Sequence, residues 1–358
     1  MKRILILAGG TGGHVFPALA VAARLRDQGV DVIWVGTRRG IEARVVPVAG
    51  FEMEWITISG LRRESLTGWV VLPVRLLFAM WQAFRILRRR RPDAVLAMGG
   101  FASGPGALMA AILRTPLLIH EQNAVAGFTN RWLALVADRV LCGFPQAFGS
   151  LPGSQHVGNP VRAEFFALPV PDVRYEHFDR RLRLLVVGGS QGAAVFNKVL
   201  PEAVKFVPET LRPEVWHQSG RTQAAQTESA YRSVPLEARV TAFIENMAEA
   251  YAWADVIICR AGAMTVAEIC AAGVAAILVP FPHAAADHQT ANAQFLGERN
   301  AAIVLPQTQF TPHRVAELLQ GFAQSPDLMR RMATFAHACT TPDAAERVAH
   351  LCLEAAGA

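Results

Sequence analysis

Hydrophobic positions in this chain fall into short unbroken runs separated by longer stretches of helical character, and the alternation repeats along most of its length. Arg3-Ile4-Leu5-Ile6-Leu7, Asp31-Val32-Ile33-Trp34-Val35, Ala94-Val95-Leu96-Ala97, Pro116-Leu117-Leu118-Ile119 and Arg139-Val140-Leu141-Cys142 read as strands buried on both faces. Between the first two lies Ala18 to Leu25, which reads as a helix. Strands alternating with helices predict parallel sheets. From Phe144 to Pro160 the pattern lapses into Pro, Gly and Ser, and it resumes at Arg181 to Val187. Further strands are predicted at Val215 to His217, Val240 to Phe243, Val256 to Cys259 and Ala275 to Val279, and the region from Thr311 onward is helical throughout. The lapse places a boundary between domains at 1–160 and 161–340. Each half opens with a basic residue, an apolar strand, a Gly-Gly turn and a helix. The predicted fold class is therefore α/β, two doubly wound Rossmann-like domains facing a cleft.

A length of 358 residues and an apolar fraction of 52% suffice for two such cores. Met1-Lys2-Arg3 leads into a run that turns at Gly9, too short for an export signal, so a cytoplasmic location is expected. The five cysteines, Cys142, Cys259, Cys270, Cys339 and Cys352, form no C-x-x-C pair and are odd in number, which predicts reduced thiols with neither disulfide nor zinc. The net charge of +6 is uneven, +9 over residues 1–160 and −3 over the rest. A basic half suits anionic lipid or an acidic substrate; nucleic acid is not expected, because no aromatic-interleaved basic stripe is present.

Candidate chemistry clusters at predicted strand ends. The turn Ala8-Gly9-Gly10-Thr11-Gly12-Gly13-His14-Val15-Phe16-Pro17 sits between a strand and a helix, where side-chain-free amides at the positive end of a helix dipole bind phosphate. The dinucleotide pattern G-x-G-x-x-G is incomplete and no Gly-Lys-Ser/Thr follows, so neither NAD nor a P-loop is implied, and no cofactor is expected. His14 is the candidate general base by location, the alternative being a turn-capping histidine. His120-Glu121-Gln122-Asn123 puts four polar groups at a strand end, for sugar hydroxyls or for one another. Glu121 is there either a base in reserve or a buried group orienting a loop. Arg162 can reach a diphosphate, and Ser190 in Gly188-Gly189-Ser190-Gln191-Gly192-Ala193 offers its hydroxyl to an oxyanion. In Arg260-Ala261-Gly262-Ala263-Met264-Thr265-Val266-Ala267-Glu268, Gly262 opens a helix whose first amides suit phosphate, and Glu268 either grips ribose hydroxyls or merely favours the dipole. Asp287-His288-Gln289 and Asn292 add hydroxyl-binding groups. No D-x-D occurs, so no metal bridging a diphosphate is expected.

Trp69 to Arg91 stands apart. Apolar bulk with two tryptophans is interrupted by Pro73, Arg75 and Arg85 and ends in Arg88-Arg89-Arg90-Arg91. That is too broken for a spanning helix and reads as an interfacial helix beside anionic lipid, aided by Arg62-Arg63, or as a core helix with a solvated basic end.

With these motifs present in this order, nearly the whole chain resembles the MurG family of bacterial N-acetylglucosaminyltransferases. The resemblance implies a GT-B fold and inverting transfer of GlcNAc from UDP-GlcNAc to the 4-hydroxyl of the muramic acid in undecaprenyl-diphospho-MurNAc-pentapeptide, by an enzyme attached peripherally to the cytoplasmic face of the inner membrane. It places Thr11, Gly12, Gly13 and Asn123 around the donor sugar and diphosphate, and Arg162 and Ser190 at the phosphates. Ile244 would meet uracil through its backbone, Ala263, Met264, Thr265, Val266 and Ala267 would cradle the nucleotide, Glu268 would bind the ribose, and Gln289 the GlcNAc hydroxyls. Residues 341–358 are expected as a helix packing back on the N-terminal domain. Two rivals remain: a UDP-GlcNAc 2-epimerase, which has no use for the segment from Trp69 to Arg91, and a non-catalytic membrane-attached sugar-nucleotide sensor.

Overall fold

The computed structural model describes residues 1–58, 66–100, 103–145, 147–149, 151–176, 178, 180–189, 191–284 and 287–357, with backbone only for 66–71. The chain divides into two compact units, Met1–Arg162 with Thr341–Ala358, and Ala163–Thr340.

The first unit runs β1 (Arg3–Ala8), α1 (Gly12–Asp27), β2 (Asp31–Gly36), α2 (Glu42–Val48), β3 (Glu52–Trp55), α3 (Leu66–Arg90), β4 (Ala94–Gly99), α4 (Ser103–Ile112), β5 (Leu117–Glu121), α5 (Phe128–Leu133), β6 (Arg139–Cys142) and β7 (Ser154–His156). Its seven strands are all parallel, in the order β3-β2-β1-β4-β5-β6-β7. Alternate residues of each strand serve opposite cores. Ile4, Ile6, Trp34, Leu96 and Leu118 face α1, whereas Leu5, Leu7, Ile33, Val95 and Ile119 face the side covered by α3 and α4. The reversal of strand order lies between β2–β1 and β1–β4, and such switch points are where open α/β sheets leave a crevice at their carboxyl edge.

The second unit contains α6 (Pro171–Arg174), β8 (Arg183–Val187), α7 (Ala194–Ala203), β9 (Glu214–Gln218), α8 (Ala224–Arg232), β10 (Ala238–Thr241), α9 (Met247–Trp253), β11 (Val256–Cys259), α10 (Ala263–Ala272), β12 (Ala275–Leu278), α11 (His288–Gly297), β13 (Ile303–Val304), α12 (Pro312–Gln324) and α13 (Pro326–Ala338). Its parallel sheet has the order β10-β9-β8-β11-β12-β13, with the switch between β8 and β11. The last helix, α14 (Ala344–Ala355), belongs to the first unit and shares the core of α1 through Val348, Ala349, Leu351 and Cys352.

Three expectations shift. Helix α1 begins at Gly12, so His14 stands in its first turn. The strand expected over Val240 to Phe243 is Ala238–Thr241. The Pro/Gly/Ser lapse contains β7, the polar edge strand Ser154–His156 of the first sheet.

Helix α3 buries Ala79, Ala83, Ile86 and Leu87 on one stripe and leaves Leu77, Phe78, Trp81 and Phe84 exposed on another. No described helix is long and apolar enough to cross a membrane. The terminal arginines are not a uniform solvated cluster: Arg89 and Arg90 both donate to Glu54 (2.6 Å each), and Arg90 also pairs with Glu52. The Trp69 side chain and Arg62-Arg63 lie outside the described residues.

Candidate active site

In the first unit the chemistry gathers where β1, β4 and β5 end. Ala8 pairs with Gly99 through a register shift after Leu7, which brings the glycine-rich turn against the end of β4. Thr11 is the N-cap of α1 and makes no side-chain cap, so the first amides of the helix, on Gly12 and Gly13, keep their donors for another acceptor. Half-buried His14 places Nδ1 3.0 Å from Gln122 Oε1. Gly99 (φ +97°) and Gly100 (φ +88°) make this approach feasible. A Cβ on the first would lie 2.7 Å from His14 Nδ1, and on the second 2.0 Å from the Gly9 carbonyl oxygen.

The turn is held from beneath by Glu42, which is fully buried. The Gly10 amide donates to its Oε2 (2.9 Å), and the Thr37 amide (2.9 Å) and hydroxyl (2.8 Å) donate to its Oε1. Glu42 is hard to single out in the sequence because a charged residue opening a helix reads as solvated; its signal is the run Gly36-Thr37-Arg38-Arg39-Gly40, with glycines on both sides of the space its side chain fills.

The four polar residues of 120–123 bond chiefly to one another and to nearby backbone. Glu121, 3% exposed, accepts at Oε1 from the Asn123 amide and Nδ2 (3.0 Å each), and at Oε2 from the Gly127 amide (3.0 Å) and Asn130 Nδ2 (2.9 Å). With both oxygens engaged, Glu121 ties Asn123, Gly127 and Asn130 together, which supports the second of its two readings, a buried group orienting the loop. Asn123 is thereby fixed in place by its own side-chain amide. His120 is fully buried, and burial holds its pKa down to about 4, so the ring is neutral near pH 7. Arg162, at the end of the unit, sets its guanidinium 5.6 Å from the Phe16 ring of α1.

In the second unit, buried Gln218 at the end of β9 joins two loops: its Nε2 donates to the Gly189 carbonyl (2.8 Å) and its Oε1 accepts from the Ile244 amide (2.9 Å). The Ile244 amide is thus held within the fold. Ser190 lies outside the described residues. Helix α10 has Gly262 as an N-cap without a side-chain bond, so the amides at Ala263, Met264 and Thr265 lack capping partners within the helix; half-buried Glu268 follows, while Val266 is buried and Ala267 partly so. Gln289, in the first turn of α11, accepts at Oε1 from the Phe281 amide (2.9 Å). Asn292 is corrected: it is fully buried, and its Nδ2 donates to the Ala261 carbonyl (3.1 Å), bracing the α10 entrance instead of meeting hydroxyls. Arg260 likewise serves the scaffold. It donates to the Val279 and Pro280 carbonyls and to Gln307 and stacks near Phe196 and Phe281. Among the described residues no group of three His, Cys, Asp or Glu side chains is placed to hold a metal ion, and all five cysteines are free thiols.

Two parallel doubly wound sheets, each with a glycine-rich first turn and helix amino-termini at its carboxyl edge, define an α/β class of protein that binds ligands at its strand ends, and the comparison with known proteins gives it a family. Residues 4–142 match the Glycosyltransferase family 28 N-terminal domain and residues 183–348 the Glycosyltransferase family 28 C-terminal domain. The chain belongs to glycosyltransferase family 28. Within it, a protein of Alkalilimnicola ehrlichii called "UDP-N-acetylglucosamine--N-acetylmuramyl-(pentapeptide) pyrophosphoryl-undecaprenol N-acetylglucosamine transferase" is 53% identical over 355 residues, 99% of each chain. The crystal structure of Acinetobacter baumannii MurG superposes with a TM-score of 0.85 at 39% identity, over 99% of this chain and 100% of that one. A UDP-GlcNAc 2-epimerase from Neisseria meningitidis shares the fold alone (TM-score 0.70, 12% identity, 99% of this chain and 100% of that one).

Proposed function

We infer that this chain is an inverting UDP-GlcNAc-dependent hexosyltransferase. It moves N-acetylglucosamine to the 4-hydroxyl of the muramyl residue of undecaprenyl-diphospho-MurNAc-pentapeptide, the lipid I to lipid II step of peptidoglycan synthesis. The observation that carries this reading is full-length identity of about half to relatives of that name. In the proposal, the second unit takes the donor. The Ile244 carbonyl meets uracil, Glu268 the ribose, the α10 amides at Ala263 to Thr265 and the turn bearing Ser190 the diphosphate, and Gln289 Nε2 a sugar hydroxyl. Thr11, Gly12, Gly13, Asn123 and Arg162 on the first unit complete the surroundings of the sugar and phosphates. As the acceptor oxygen attacks the anomeric carbon, His14 takes its proton, and preorganised amides meet the charge that builds on departing UDP, with no divalent metal. Incubation with labelled UDP-GlcNAc in excess chelator, with and without a muramyl-lipid acceptor, is expected to give UDP release only when acceptor is present. Release without acceptor would support epimerisation, absence of release in both a sensor, and rescue by magnesium a metal-dependent transfer.

The proposal extends to peripheral attachment at the cytoplasmic face of the inner membrane. Helices α3, α4 and α5 contain no carboxylate and adjoin in series. They expose Leu77 (66%), Trp81 (50%), Ile112 (59%), Phe128 (78%) and Trp132 (61%), and exposed Arg85 and Arg88 stand over Trp81 and Phe84. Apolar bulk beside unopposed positive charge suits anionic lipid. Replacing Trp81 and Phe84 by glutamate is expected to lower binding to anionic vesicles at least about tenfold, since burying each aromatic contributes about 1.5–3 kcal/mol. Sedimentation at two salt concentrations reads this; unchanged binding would remove α3 from the contact.

A further inference from the structure

The hydrogen bonds leading away from His14 form a chain in which every donor and acceptor is determined. Fully buried His120 is neutral and carries one N–H. Its Nε2 lies 3.0 Å from the Gly158 carbonyl oxygen, a group that only accepts, so the proton is on Nε2 and Nδ1 is bare. Gln122, 1% exposed, has its amide nitrogen 2.9 Å from the Met98 carbonyl, 3.2 Å from His120 Nδ1 and 3.4 Å from the His120 carbonyl, three acceptors. The opposite orientation of the amide would set its oxygen against all three, an acceptor facing buried acceptors. The amide is therefore locked with Oε1 toward His14, 3.0 Å from Nδ1. The Asn159 side chain, donating to the Gln122 carbonyl at 3.0 Å, holds the same residue by its backbone.

We infer that Gln122, oriented by His120, keeps the proton of neutral His14 on Nδ1 and so turns a bare Nε2 toward the acceptor. Both residues are positioning residues: neither needs to touch substrate, and they act through the imidazole. The assignment deepens the proposal that His14 is the base, because a base must present a lone pair where the hydroxyl proton will be. Gly99 has a part in it, since only a residue without Cβ lets the Nδ1 side of the ring lie against the end of β4.

The test is the nitrogen-15 NMR spectrum of the imidazole in the full-length protein at a pH where His14 is neutral, assigned by comparison with His14→Ala. Protonated-type Nδ1 and bare-type Nε2 are expected; the reverse pattern overturns the inference whatever the catalytic result. In Gln122→Met, which keeps the volume and removes the acceptor, His14 is expected to lose the Nδ1–H preference. Its kcat should fall about 10–10²-fold, with KM for UDP-GlcNAc within about twofold. An unchanged tautomer with unchanged kcat overturns the inference, and a matched fold is checked by melting. If wild-type His14 is protonated on Nδ1 yet His14→Ala retains turnover, the tautomer assignment stands and the base assignment falls.

Discussion

His14→Ala is expected to lower turnover by about 10²–10⁴-fold while leaving the affinity for UDP-GlcNAc nearly unchanged. The magnitude follows from the proposed role as base: proton removal from the attacking hydroxyl occurs only as the transition state forms, so its loss appears in kcat and kcat/KM together. The split between kcat and KM follows from placement, because the imidazole stands on the first unit whereas the proposed nucleotide contacts at Ile244, Ala263 to Thr265 and Glu268 belong to the second. Steady-state rates at saturating and limiting donor provide the check. A variant with near-normal kcat would show the hydroxyl proton to leave by another route, and a rise in KM alone would make His14 a binding group.

Glu42→Gln is the second large effect, and it reaches both stability and rate. The carboxylate accepts from three donors with two oxygens and is fully buried. An amide keeps one oxygen and turns its NH2 on either the Gly10 amide or the Thr37 pair. Each buried donor left unmet costs about 1–3 kcal/mol, which for a unit of this size lowers the melting midpoint by about 5 °C. The released Gly10 also loosens the turn that carries Gly12, Gly13 and His14, and a shift of about 1 Å there is expected to reduce kcat by 10-fold or more. Calorimetry and kinetics on the same preparation test both halves. A midpoint within a degree of the parent would mean that the pocket rearranges around the amide.

The central strands were legible because a strand buried on both faces must be apolar at every position, as in Ile4-Leu5-Ile6-Leu7 or Val256-Ile257-Ile258-Cys259. The two edge strands of the first sheet were not. Ser154-Gln155-His156 and Glu52-Met53-Glu54-Trp55 each have only one neighbour and an open side, so nothing in their composition separates them from loop. At the site, the glycine-rich turn and the 120–123 run announced themselves as polar or glycine residues where packing would demand apolar ones. Their division of labour did not. That Glu121 is taken up by the Asn123 and Gly127 amides and the Asn123 and Asn130 side chains, and Asn292 by the Ala261 carbonyl, while His14 stands half-buried, depends on how the loops fold back in space. Glu42 and Gly99-Gly100 went unread for the same reason. The carboxylate and the missing Cβ atoms have meaning only once α2, β1 and β4 are side by side.

Helix α14 closes the core of α1 with residues that are synthesised only after all of Ala163–Thr340. At about 5–20 residues per second, the intervening unit keeps the ribosome busy for roughly ten seconds to half a minute. During that interval the nascent first lobe carries an uncovered apolar groove where Val348, Leu351 and Cys352 will later settle, a vulnerability that co-translational holdases are suited to shield.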